Sequence, residues 1–146
     1  MTYDEFKHNF LTWAIEYIEP VQDNGYPVCP FAKTARLKNE IQFIDATQDV
    51  FNACAKFDNK QYKLGVAWLN DNLLNVDQVI KELTAKNDNL LYFKSTTNSG
   101  HFVKNFTNCI FIQDKGDINK KRAYLQTTDY YQNWPEHYLK EITENA

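Results

Sequence analysis

The chain has 146 residues, 43% of them apolar and 24% charged, with a formal net charge of −3. That length holds a core without disulfides or a structural metal, and that composition is not a disordered chain's. An acidic balance speaks against a dedicated nucleic-acid binder, whose surface needs a basic face.

Thr2-x-x-Glu5 reads as a capping box. The helix it opens carries Phe6, Phe10, Trp13, Ala14, Tyr17 and Ile18 at three- and four-residue spacing, and Pro20 stops it. Phe6, Phe10, Trp13 and Tyr17 are its expected buried face. Asn24-Gly25 marks a turn. Then comes Tyr26-Pro-Val-Cys-Pro-Phe-Ala-Lys-Thr-Ala-Arg-Leu-Lys38, where Cys29 suits an N-cap and Pro30 a first helical residue, for a short helix to about Asn39.

Ile41–Ile44 reads as a strand, and Asp45-x-x-Gln48 as the cap of a helix with Val50, Phe51, Cys54 and Phe57 inward. Tyr62–Leu69 is the next expected strand. Asn75-x-x-Gln78 caps a helix burying Val76, Val79, Ile80 and Leu83. Leu90–Lys94 is a strand, followed by the polar loop Ser95–His101. Asn108–Gln113 and Arg122–Thr127 read as a hairpin turning at Lys115-Gly116-Asp117. Asn133-x-x-Glu136 opens a last helix with Tyr138, Leu139 and Ile142 inward. The expected fold is a single α+β domain over residues 1–146, with a mixed sheet of about five strands, helices packed on it, and a C-terminal hairpin plus helix.

Three cysteines, Cys29, Cys54 and Cys109, are widely spaced and odd in number, which is neither a disulfide framework nor a zinc pattern. The N-terminal residues lack an apolar signal region, and no apolar run approaches the ~20 residues that span a bilayer. A cytoplasmic location with no membrane partner is expected. Only Arg36 and Arg122 are arginine, while lysine and asparagine abound, as in products of AT-rich bacterial or phage genomes.

Chemistry centres on Cys29. At a helix N-terminus its thiol would face unpaired N–H groups, and with Lys33 and Arg36 on the following turns the thiolate would be favoured. Cys29 is then a candidate nucleophile. Lys33 and Arg36 would hold an anionic group, Arg36 by its two-pronged fork. His101, at the end of a polar loop after a strand, is the candidate base or proton shuttle. The plain alternative makes Cys29 a small buried cap and His101 a solvated loop residue. A thioredoxin-like motif is excluded, because Cys29 has no second cysteine nearby, no strand before it, and no proline elsewhere placed to face the thiol. No metal-ligand spacing stands out, and no cofactor is indicated.

Cys29-Pro-Phe-Ala32, following an amphipathic helix with Trp13 and followed by Lys33, Arg36, Lys38 and Ile41–Ile44, resembles a family of small bacterial proteins of uncharacterised activity. The likeness covers about the first third of the chain, and Asn105–Ile112 loosely resembles that family's last strand. It implies a common fold and site and no particular reaction. Two functions remain open: a cysteine-centred site for a small anionic ligand, or a non-catalytic accessory protein that meets a protein partner through aromatic residues such as Tyr130, Tyr131 and Trp134.

Overall fold

In the computed structural model, residues 1–23, 25–71, 75–94, 106–132, 134 and 136 are described. Thr2 and Glu5 form the expected capping box: the Glu5 N–H donates to Thr2 Oγ1 and the Thr2 N–H to Glu5 Oε1, each at 3.1 Å. Helix α1 (Tyr3–Trp13) follows, then a π-helical segment, Ala14–Ile18, closed by the Glu19 N–H donating to the Ala14 carbonyl at 2.9 Å. Phe6, Phe10 and Ala14 are buried as the spacing predicts, but Tyr17 is exposed. The wider π turn is the reason: the extra residue in the turn rotates everything after Ala14 off the α-helical register.

Helix α2 (Ala32–Leu37) leads into strand β1 (Ile41–Asp45). Helix α3 (Val50–Cys54), strand β2 (Leu64–Trp68), helix α4 (Val76–Lys86) and strands β3 (Leu90–Phe93) and β4 (Cys109–Asp114) follow, and helix α5 (Lys115–Gln126) runs on directly from β4. The sheet order is β1-β2-β4-β3; β1 pairs parallel with β2, and β4 pairs antiparallel with both β2 and β3. Hence β1, β2 and β3 run the same way, and β4 is wedged between the last two against them.

Alternation along the strands splits the core into two layers. Phe43, Val66, Cys109 and Phe111 face α1 and meet Phe6 and Phe10; Ile44, Ala67, Ile110 and Ile112 face α3 and α4 and meet Cys54, Phe57, Val79 and Leu83. The sheet is therefore covered on both sides, one mixed sheet with helices packed on it in a single α+β domain. Gly65 lies where β2 passes α3: a Cβ there would fall 2.8 Å from the Phe57 ring and 3.1 Å from Ile112 Cβ.

Three expectations are corrected. Among the described residues the sheet has four strands, because Arg122–Thr127 is no hairpin arm: Arg122–Gln126 is the end of α5 and Thr127 its C-cap. Asp114 caps that helix by accepting the Asp117 N–H at 2.9 Å, so Lys115-Gly116-Asp117 is a first helical turn rather than a β-turn. Only Leu125 of α5 is buried, which left no amphipathic stripe to read. Second, Asp49 and not Asp45 caps α3, accepting the Asn52 N–H at 3.2 Å, while Asp45 ends β1 and binds the Thr47 hydroxyl at 2.6 Å. Third, α2 begins at Ala32 rather than Pro30. The expected last helix from Asn133, with Tyr138, Leu139 and Ile142, lies largely outside the described residues.

Candidate functional site

The short α2 is tied down at both ends. Its first residue, Ala32, donates its N–H to the Cys29 carbonyl at 3.2 Å, which makes Cys29-Pro-Phe-Ala32 a turn that delivers the chain into the helix. At its other end Asn39 takes a positive φ of 56°, the left-handed position that closes helices. Before the turn, Val21 and Pro27 bridge, with Gly25 at φ 86° making the reversal that Asn24-Gly25 predicts. The Val28 N–H donates to the Ile18 carbonyl at 3.1 Å, so this loop hangs from the end of the π segment.

Cys29 sits on that loop, half-buried. The Phe31 and Ala32 N–H groups act on its sulfur, but α2 has Phe31 as its N-cap and no side-chain cap hydrogen bond, so Cys29 is not the helix cap expected. The direction of its pKa is the reverse of a reactive thiol's. Burial pushes it above the ordinary 9.0, and the two N–H groups and the Lys121 ammonium, which pull it down, do not overcome that. Cys54 and Cys109 have no such counterweight, and burial alone pushes each up to about 12.

Arg36 does use its fork on a carboxylate, but the carboxylate is the chain's own. Its Nε and Nη2 donate to Glu19 Oε2 and Oε1 at 2.6 and 2.8 Å, and the Glu19 side chain is only 7% exposed. The π turn carries Glu19 into that position, and the pair locks the end of the first helix to α2. Lys33 stands exposed on α2, with no ion pair among the described residues. His101 lies outside the described residues. The structure thus brings Cys29 beside its own turn, commits Arg36 to Glu19, and leaves Lys33 in solvent.

What the sequence did not reveal is the far side of this corner. Lys121 of α5 reaches over the Phe31 ring, 5.1 Å from its centroid, while paired with Asp117 at 2.8 Å. The Tyr26 hydroxyl donates to Asp129 Oδ1 at 2.7 Å, and the Tyr130 hydroxyl donates to the Val28 carbonyl. The Tyr26 and Tyr130 rings meet edge to face at 5.6 Å, and Tyr130 packs in turn on Tyr131 and Trp134. The aromatic cluster seen in the sequence therefore closes on the Cys29 loop. Both partners are conspicuous as types, but no local pattern joins residues 103 positions apart.

The remaining features are polar or empty of converging ligands. A shallow cleft of about 440 Å³ at the start of α5 is lined by Asn59, Asn89, Asp114 and Asn119 among others, and Cys29 is not in its wall. Among the described residues, no three His, Cys, Asp or Glu side chains converge as metal ligands, and no helix is long and apolar enough to cross a membrane. No family model, no curated protein and no solved structure matches the chain.

Proposed function

We propose that the protein is a non-catalytic binding module whose working surface is the corner built by the π segment, the 20–31 loop, α2 and α5. The observation that supports this is the placement of exposed apolar side chains. Of the six large ones among the described residues, five are Ile15, Tyr17, Val21, Leu37 and Tyr124; only Met1 lies elsewhere. Val21, Leu37 and Tyr124 are 68%, 63% and 62% exposed. Exposed apolar groups gathered on neighbouring elements mark contact surfaces more often than scattered ones do. Cys29 then serves as a neutral plug, and the Glu19–Arg36 pair as the brace that holds the corner's shape.

A photo-crosslinking residue at Leu37 or Tyr124, with Lys81 on α4 as control, tests this in cells. Discrete products from positions 37 and 124, absent from 81 and lost on Val21→Glu, are expected. No position-specific product would overturn it.

The second reading, a cysteine-centred nucleophile or anion site, is favoured by the Phe31 and Ala32 N–H groups and the Lys121 charge, which act against burial on the Cys29 thiol. It requires the corner to expose that sulfur and Lys33 to join it. Stoichiometric alkylation of native Cys29 at pH 6–7, ahead of Cys54 and Cys109, would choose it over the binding reading.

A further inference from the structure

Charge is unevenly spread over this acidic chain. Helix α2 with its caps holds Lys33, Arg36 and Lys38 and no acid; α5 with its caps holds Lys115, Lys120, Lys121 and Arg122 against Asp114 and Asp117. Seven cations against two carboxylates give the two helices +5 in a chain whose total is −3, so the remainder carries −8. The sheet separates the two signs. Helix α2 leads into the start of β1, and α5 leaves the end of β4 beside the start of β3. Exposed Asp45, Asp49 and Asp71 stand at or just beyond the far ends of β1 and β2. Arg36 is held by Glu19 and Lys121 by Asp117, but Lys33, Lys38 and Lys120 are exposed with no ion pair among the described residues. Lys33 precedes Leu37 by four residues and Lys120 precedes Tyr124 by four, so on each helix an exposed lysine stands one turn from an exposed apolar side chain. Lys121 over the Phe31 ring joins the two helices. Glu16 and Asp23, exposed acids of the same corner, lie on the π segment and the loop instead.

We propose that the partner of this corner is an acidic polypeptide segment, which sets apolar side chains on Leu37 and Tyr124 and carboxylates on Lys33, Lys38 and Lys120. This rests on the binding-module reading and adds the partner's chemistry to it. Charges of one sign around an apolar patch steer and select a partner of the other sign. Nucleic acid offers phosphates and base faces but no aliphatic surface for Val21 and Leu37, and the Arg36 fork that would suit a phosphate is held by Glu19. An anionic membrane calls for a continuous apolar helix face, whereas α2 and α5 expose one large apolar side chain each.

Fluorescence anisotropy tests this with a labelled peptide that repeats leucine every third or fourth position among glutamates. The comparison probes are the same peptide with glutamine for glutamate, a labelled DNA duplex, and phosphatidylserine vesicles read by co-sedimentation. The glutamate peptide should bind the native protein more tightly than the other three probes, and less tightly as salt rises. Lys33→Glu with Lys120→Glu should weaken that binding about tenfold, and Lys81→Glu on α4 should leave it unchanged. An unaltered urea midpoint checks that the reversed protein is folded, and Lys33→Gln with Lys120→Gln should give a smaller loss in the same direction. Equal binding of the two peptides would leave the corner a binding surface and overturn the acidic partner. A preference for DNA or vesicles, a glutamate peptide indifferent to the charge reversal, or one that does not bind would also overturn it. The crosslinks from positions 37 and 124 report on the surface itself, so its failure and the failure of the acidic partner are told apart.

Discussion

At the scale of single residues, burial decides more than charge does. Cys29 has two N–H groups and a lysine in its favour as a thiolate, and desolvation still wins. The same cause acts without opposition on Cys54 and Cys109, and Tyr92 is raised by burial and by Cys54. A pKa raised on folding means that the folded protein holds its proton more tightly. The stability it contributes is complete below the unfolded value and is lost as pH rises through the folded one. The two buried thiols therefore predict a fall in the urea midpoint between about pH 9 and pH 12 that is shallower in a Cys54→Ala, Cys109→Ala protein. Gly65 is the other decisive residue. Alanine there forces the Phe57 ring off β2 while Ile112 blocks the opposite retreat, so Gly65→Ala should cost about 1–3 kcal/mol in urea unfolding. A neutral result would mean that α3 floats on the sheet.

At the scale of elements, two caps and the core spacings were legible in the sequence, while the caps of α3 and α5 and the irregular turns were not. Thr2 with Glu5, and Asn75 before Gln78, are local signals with local causes, and both caps formed. The π segment had no such signal, and it alone turned Tyr17 outward and Glu19 toward Arg36. Helix α5 was missed because its stability comes from its cap, from the Lys121–Asp117 pair and from one buried leucine, and not from an apolar face. Asp114 should then matter more than a surface residue does. Hydrogen bonds from Asp117 and Asn59 hold its carboxyl below the usual range. Asp114→Ala should cost about 1 kcal/mol, as a lost N-cap does, and the wild-type advantage should fade as pH drops through the carboxyl's folded pKa. Phe10→Ala removes a ring that meets Phe43 and Phe111 and should cost ~3–5 kcal/mol, against less than about 1 kcal/mol if α1 were peripheral.

For the whole molecule, the sheet holds the fold and the corner gives it its distinctive surface. The alternation of capped helices with apolar strands was enough to read a mixed sheet, because each crossover is set by neighbouring elements. The corner joins Tyr26 and Val28 to Asp129 and Tyr130 across the length of the chain. Residue types alone marked Cys29 and the tyrosines as notable, and only the fold shows that Tyr130 binds the carbonyl of Val28, the residue before Cys29. The most direct test is the pH dependence of Cys29 alkylation in the native protein, set beside a free-thiol peptide. A thiol held neutral by burial should react more slowly than the peptide at neutral pH, its rate still climbing with pH through 9.0, where the peptide's begins to level off. A rate that has already levelled off below that pH, faster than the peptide's, would contradict it and make Cys29 the centre of a reactive site.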